Sequence, residues 1–188
     1  MKKYLLFLFA TLVLFACRNK KKESFFPVLS FIKSQVAHVD TSLYPIEKII
    51  WLDSIRTDTI YVKREEFRDL AKDFLTVPEL TDKKNSSLYI EEKFYDAGMN
   101  QVVLTYKPKD PDKVTVQRQE VLITPDPSGD KVKSIIIDQV ITNKDSSVQK
   151  KLLWQVDQSF QVVKIIQKNG QPEITSIMKV LWDEKKDE

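Results

Sequence analysis

SVQKKLLWQVDQSFQVVKIIQKNGQPEITSIMKVLW, residues 147–182, decides the fold. Val148, Leu152, Trp154 and Val156 fall on alternate positions, with Lys150 the one interruption. Phe160, Val162 and Ile166 repeat the alternation, and so do Ile174, Met178, Val180 and Trp182. A period of two places every second side chain on one face of an extended strand. Asp157-Gln158 and Asn169-Gly170 separate the three runs, and Asn-Gly is a hairpin signal because both residues tolerate positive φ. The opposite face is mixed, with Leu153, Val163, Ile165, Ile177 and Leu181 among Lys and Gln. Short turns and one apolar face predict an antiparallel meander buried on one side and half apolar on the other.

The same pattern extends towards the N-terminus. Leu88–Tyr95, Gln101–Lys107, Lys113–Ile123 and Lys131–Thr142 read as strands, bringing the run to seven. Turn chemistry at Asp96-Ala97-Gly98, Pro108 to Asp112, Pro125 to Asp130 and Asn143 to Ser146 divides them. Ile46–Leu52 and Thr59–Lys63 read as two more strands.

Two helices complete the pattern. In Pro27–Asp40, the positions Val28, Phe31, Ile32, Gln35, Val36 and Val39 make a helical stripe broken only by Gln35. Pro27 suits the first turn, where its missing N–H costs nothing. In Arg64–Leu75, Phe67, Leu70, Ala71 and Phe74 face one way and Glu65, Glu66, Arg68, Lys72 and Asp73 the other, until Pro78 ends it. Thr81 to Ser87 reads as a polar loop. The expected fold is α+β: a large curved antiparallel β-meander of about seven to nine strands with two helices packed on one face. The first helix either closes a filled core or roofs a cavity. A cavity would be lined by Phe31, Val36, Trp154 and Trp182.

The N-terminus carries an address. Lys2 and Lys3 precede an apolar or hydroxyl run from Tyr4 to Phe15, the length of a signal-peptide core at about 7–15 residues. A membrane-spanning helix needs about 20 apolar residues. The run is shorter, and Arg18, Lys20, Lys21 and Lys22 follow it at once. Leu14-Phe15-Ala16-Cys17 resembles the lipobox of bacterial lipoprotein signal peptides, although Phe15 is bulkier than the usual residue there. That resemblance implies cleavage before Cys17 and a diacylglyceryl group on its thiol, an anchor of two or three acyl chains. The division that follows is 1–16 signal peptide, 17–24 lipidated cysteine and tether, 25–183 a single domain, and 184–188 a charged tail. Arg18 does not resemble the Asp that retains lipoproteins in the inner membrane, which implies the periplasmic face of the outer membrane.

Composition removes several function classes. The chain has 30 basic and 27 acidic residues, and without Lys2 and Lys3 the excess falls to one. Charges of both signs alternate, so no basic field suggests nucleic acid. Gly98, Gly129 and Gly170 are the only glycines and lie far apart, which leaves no phosphate-cradling loop. Cys17 is the only cysteine, so an internal disulfide is impossible. His38 is the only histidine, no nucleophile elbow accompanies it, and it reads as structural or superficial. One Cys and one His cannot build a zinc centre, and no metal or cofactor is expected. Asp110 and Asp112, or Asp126 and Asp130, lack the spacing of a calcium loop and read as turn formers. No enzymatic activity is expected.

Two further resemblances bear on function. Asp53-Ser54-Ile55 and Asp58-Thr59-Ile60 resemble the short O-glycosylation motif of Bacteroidota, and equally suit a hairpin between strands. Phe25-Phe26-Pro27-Val28, Gln35-Val36, Val39-Asp40, Lys63-Arg64-Glu65 and Leu153-Trp154 resemble a family of small Bacteroidota lipoproteins with no assigned function. The expected function is a lipid-anchored, non-enzymatic binding or assembly module of the envelope, using the half-apolar sheet face or an edge strand. The alternative is a carrier of lipid or lipoprotein acyl chains. Its order of elements is similar in architecture to the LolA/LolB sorting proteins. Its partners would be the membrane, through Cys17, and an unknown envelope protein or lipid ligand.

Overall fold

A computed structural model describes residues 25–51 and 56–182. The lipobox, Cys17, Asp53-Ser54-Ile55 and the charged tail lie outside the described residues. Nine strands form one antiparallel sheet that does not close on itself. In chain order the elements are α1 (Val28–Thr41), β1 (Ile46–Trp51), β2 (Thr57–Val62), α2 (Arg64–Leu70), α3 (Lys72–Leu75) and α4 (Lys83–Ser86). They continue as β3 (Tyr89–Asp96), β4 (Gln101–Pro108), a 3₁₀ turn (Pro111–Lys113), β5 (Val116–Thr124), β6 (Lys131–Asn143), β7 (Ser146–Gln155), β8 (Ser159–Lys168) and β9 (Ile174–Leu181). The fold is the expected α+β meander with its helices on one face.

The strand order is β2-β1-β9-β8-β7-β6-β5-β4-β3. From β3 to β9 each strand pairs with its sequence neighbour, as short turns require. The first hairpin breaks that rule by adding β1 to β9, with Lys48 opposite Val180 and Ile50 opposite Met178. The chain therefore leaves β2 at one edge and must re-enter at β3, the other edge. Eight strand spacings of about 4.8 Å make that a path of about 38 Å. Residues 63–88 cover it, with α2, α3 and α4 on the way, and this crossing is what roofs the sheet.

Beneath the roof the core is filled. Val28, Ile32, Val36 and Val39 form the buried stripe of α1. Phe67, Ala71 and Phe74 are fully buried from α2 and α3. They meet Trp154, Phe160 and Trp182 of the sheet in one aromatic cluster. Phe74 sits edge-on to Trp154 at 5.1 Å, Trp154 stacks on Phe160 at 5.4 Å, and Phe67 sits edge-on to Trp182 at 5.1 Å. Edge-to-face and offset pairs suit the ring quadrupole. The β7–β8 register explains how the sheet contributes, because Trp154 lies opposite Phe160, and Phe160 opposite Val180.

Four local expectations change. The helix read over 64–75 is two pieces, because the ladder tightens at Ala71, where φ is −80° and ψ 0° and Phe74 N bonds to Ala71 O. Thr81 to Ser87 contains the helical turn α4. The strand read from Lys113 begins at Val116, because Pro111–Lys113 is a 3₁₀ turn capped by the Asp110 carboxylate. Asn169-Gly170 does lie between paired strands, but only Gly170 has positive φ, at 70°, and the connection runs from 169 to 173.

Lys150, the exception in the apolar stripe of β7, has a tertiary reason. Its ammonium donates to the Asp73 carboxylate of α3 at 2.6 Å, pinning the helical roof to the sheet. Asp73 therefore does not belong to the wet side of the helix.

Candidate interaction surfaces

Of the four residues proposed to line a cavity, three are in the packed core. Val36 and Trp154 are wholly buried and Trp182 almost so, with 5.2 Å between the two indole rings. Phe31 is half-buried on the flank of α1 and packs on Phe26 at 5.6 Å. It lines an open pocket of about 650 Å³ with Gln35, His38, Lys133, Val156 and Asp157. None of the other three reaches that pocket.

This pocket is open to solvent and mixed in chemistry. Phe31, Val132 and Val156 give it an apolar floor, Lys131, Lys133 and Asp157 a charged rim, and His38 lies beside them. Gln35 fixes its far wall by accepting from the Asp157 N–H at 3.2 Å. Asp157 sits at φ 58°, a conformation aspartate tolerates better than most residues. His38 is exposed in the last turn of α1. Among the described residues no three His, Cys, Asp or Glu side chains converge as metal ligands would.

The acidic turn residues have local partners. Asp110 pairs with Lys113 at 2.7 Å, and that hydrogen bond holds its carboxyl below the usual range. Asp126 accepts from Lys131 Nζ at 2.8 Å and from the Ser128 hydroxyl and N–H, which together hold its carboxyl well below the usual range. Such turns are built by Asx hydrogen bonding.

The sheet offers three other surfaces. Its uncovered face carries Ile49, Trp51, Leu122, Ile136, Leu153, Val163 and Ile177, all half-buried, broken by the Arg118–Asp138 pair at 2.9 Å. The β2 edge is six residues, five of them exposed, with Tyr61 77% and Ile60 44% exposed and Asp58 its one charge. Leu43 and Tyr44, exposed beside its β1 partner, extend this edge. Arg64 braces the loop by donating to Val39 O and Tyr44 O. Asp58-Thr59-Ile60 lies in this strand and is exposed throughout. The β3 edge carries Ile90, Phe94 and Tyr95, all exposed, but also Glu91, Glu92, Lys93 and Asp96.

The alternation pattern located the uncovered face but not the edges. A period of two reads the same in a central and an edge strand, and only the pairing of β1 with β9 makes β2 an edge. No family model, no curated protein and no solved structure matches this chain.

Proposed function

We propose that the chain is a lipid-anchored envelope protein, held through Cys17 on the periplasmic face of the outer membrane. Its folded domain is a non-enzymatic module that takes an extended segment of an envelope protein on the β2 edge. The observation that carries this reading is that edge. Strand addition needs unpaired backbone groups on an outer strand and side-chain contacts on both faces of it. Thr57–Val62 supplies them, with Tyr61 on one face and Ile60 on the other. Edges that avoid partners are blunted by charges, proline or bulges. Thr57–Val62 has neither proline nor lysine, and its register with β1 is unbroken.

The filled aromatic core supports a module that binds by its surface over a carrier that binds within. A carrier would have the about 650 Å³ pocket beside α1 as the place for an acyl chain, with Phe31, Val132 and Val156 as its apolar wall. Native mass spectrometry with lipid extraction separates the two. The module predicts an empty domain, and a stoichiometric co-purifying lipid would make the carrier the better reading.

The edge is tested by a photoreactive amino acid at Tyr61, compared with one at Gln171 on the β8–β9 connection, in intact cells. The reading predicts a discrete protein adduct at position 61 that is lost in Ile60→Lys. Equal adducts at both positions, or an adduct indifferent to Ile60→Lys, would refute it.

A further inference from the structure

The β3 edge differs from the β2 edge in kind. Ile90, Phe94, Tyr95 and Met99 are each between 51% and 57% exposed, and Leu88 is 37% exposed. Phe94 and Ile90 lie on the uncovered face, Tyr95 on the helix face, and Met99 at the tip of the β3–β4 turn. A strand added along Tyr89–Asp96 would leave the turn tip at Met99 uncovered. A broad, soft apolar phase met end-on would cover it.

The charges on this edge are consistent with that. Two carboxylates are engaged, Glu92 with Lys107 at 2.7 Å and Asp96 with the N–H groups of Gly98 and Met99, and Glu91 lies opposite Tyr106 of β4. Lys93 has no ion-pair partner among the described residues, and Lys83 and Lys84 of α4 are exposed nearby. Lysines with long apolar stems and tyrosines suit the boundary between headgroups and acyl chains.

Where the chain enters the fold selects this edge. Phe25 packs on Tyr106 of β4 at 4.9 Å, and Phe26 N–H donates to the Tyr106 hydroxyl at 2.9 Å. β4 is the neighbour of β3. The eight residues from Arg18 to Phe25 reach at most about 28 Å. That is ample when β3 meets the surface. Measured along the sheet, β2 is seven spacings from β4, about 34 Å, whereas β3 is one spacing away, about 5 Å.

We infer that the β3 edge is the face this domain lays on the lipid surface, with Ile90, Phe94, Tyr95 and Met99 entering the headgroup layer. The inference rests on the reading of Cys17 as a lipid anchor. It sets the sheet upright on the membrane and turns the β2 edge away from it.

The test uses the full-length protein purified in its acylated form, with the mass of its N-terminal peptide measured first. Cysteine replaces Phe94, Met99 or, as control, Gln171, and each carries an environment-sensitive fluorophore. With Cys17 acylated, each variant has one reactive thiol. The proteins are reconstituted in phosphatidylcholine–phosphatidylglycerol vesicles containing brominated acyl chains. The expected result is a blue shift and about twofold or greater quenching at 94 and 99, with the label at 171 unaffected. Phe94 and Met99 are exposed, so these variants are expected to melt with the parent, which a thermal scan checks. Labels at 94 and 99 quenched no more than that at 171, on acylated protein floating with its vesicles, would overturn the inference while leaving the anchor intact. Cross-links between copies through position 94 or 99 would assign the edge to a second copy instead and would also overturn it. An unacylated Cys17, seen in the peptide mass and as a second labelled thiol, would remove the anchor and the inference with it.

Discussion

Replacing Asp73 by alanine probes how the helical roof is held to the sheet. Asp73 and Lys150 are 27% and 16% exposed, with 2.6 Å between their charged atoms. Two unit charges about 4 Å apart attract by about 4 kcal/mol at an effective dielectric of about 20, before desolvation is subtracted. Net values for hydrogen bonds to charged groups are about 1.5–3 kcal/mol. Asp73→Ala also leaves the ammonium of Lys150 unpaired on the buried side of β7, so a cost of about 2 kcal/mol follows. For a domain of this size that lowers Tm by about 4–8 °C. The paired replacement Asp73→Leu with Lys150→Leu removes both charges and restores the apolar stripe, and is expected within about 1 kcal/mol of the parent. Urea unfolding followed by tryptophan fluorescence reads both, because Trp154 and Trp182 are buried. Glu92→Ala serves as control: its pair with Lys107 is 55% and 51% exposed, and such pairs contribute about 0–1 kcal/mol. The reasoning fails if Asp73→Ala costs no more than Glu92→Ala, or if the double replacement is as damaging as the single one.

Phe74→Ala removes the ring that meets both Trp154 and Phe160 edge-on and is expected to cost about 3–5 kcal/mol, measured by the same unfolding curves. Gln119 is wholly buried and neither amide atom has a hydrogen-bond partner among the described residues, so Gln119→Leu is expected to raise stability by about 1 kcal/mol; a lower Tm would contradict this. Gly170→Ala meets no atom within 4 Å, so its cost of about 1 kcal/mol comes from the positive φ alone, and Gly170→Asn should recover part of it in calorimetry. Burial pushes the Tyr106 phenol above its ordinary 10.0, with Glu91 adding to the effect. Its contribution is therefore complete below pH 10 and is lost as pH rises towards the folded value, so Tyr106→Phe should flatten the alkaline fall in stability.

What could be read from the chain depended on how local the signal was. The three C-terminal strands were legible because alternation and turn residues act within ten residues. The α1 stripe was legible for the same reason, and Val28, Ile32, Val36 and Val39 are its buried positions. The docking of β1 on β9 carried no local sign, since the two strands lie more than a hundred residues apart and differ in no way from other half-buried strands. Lys150 looked like a fault in the pattern because its partner Asp73 is distant in sequence. The same limit hid the candidate surfaces. Tyr61 and Phe94 read as ordinary strand residues until the strand order made β2 and β3 edges. Phe31, Val36, Trp154 and Trp182 were grouped by apolar character, but α1 points Val36 inward and Phe31 along its flank.

The lipid anchor proposed at Cys17 is tested most directly by the intact mass of the protein extracted from its native envelope. The anchor predicts a chain beginning at Cys17 and heavier than its residues by a diacylglyceryl group, with or without a further acyl chain. A chain that retains residues 1–16, or one with a free thiol at Cys17, would contradict it.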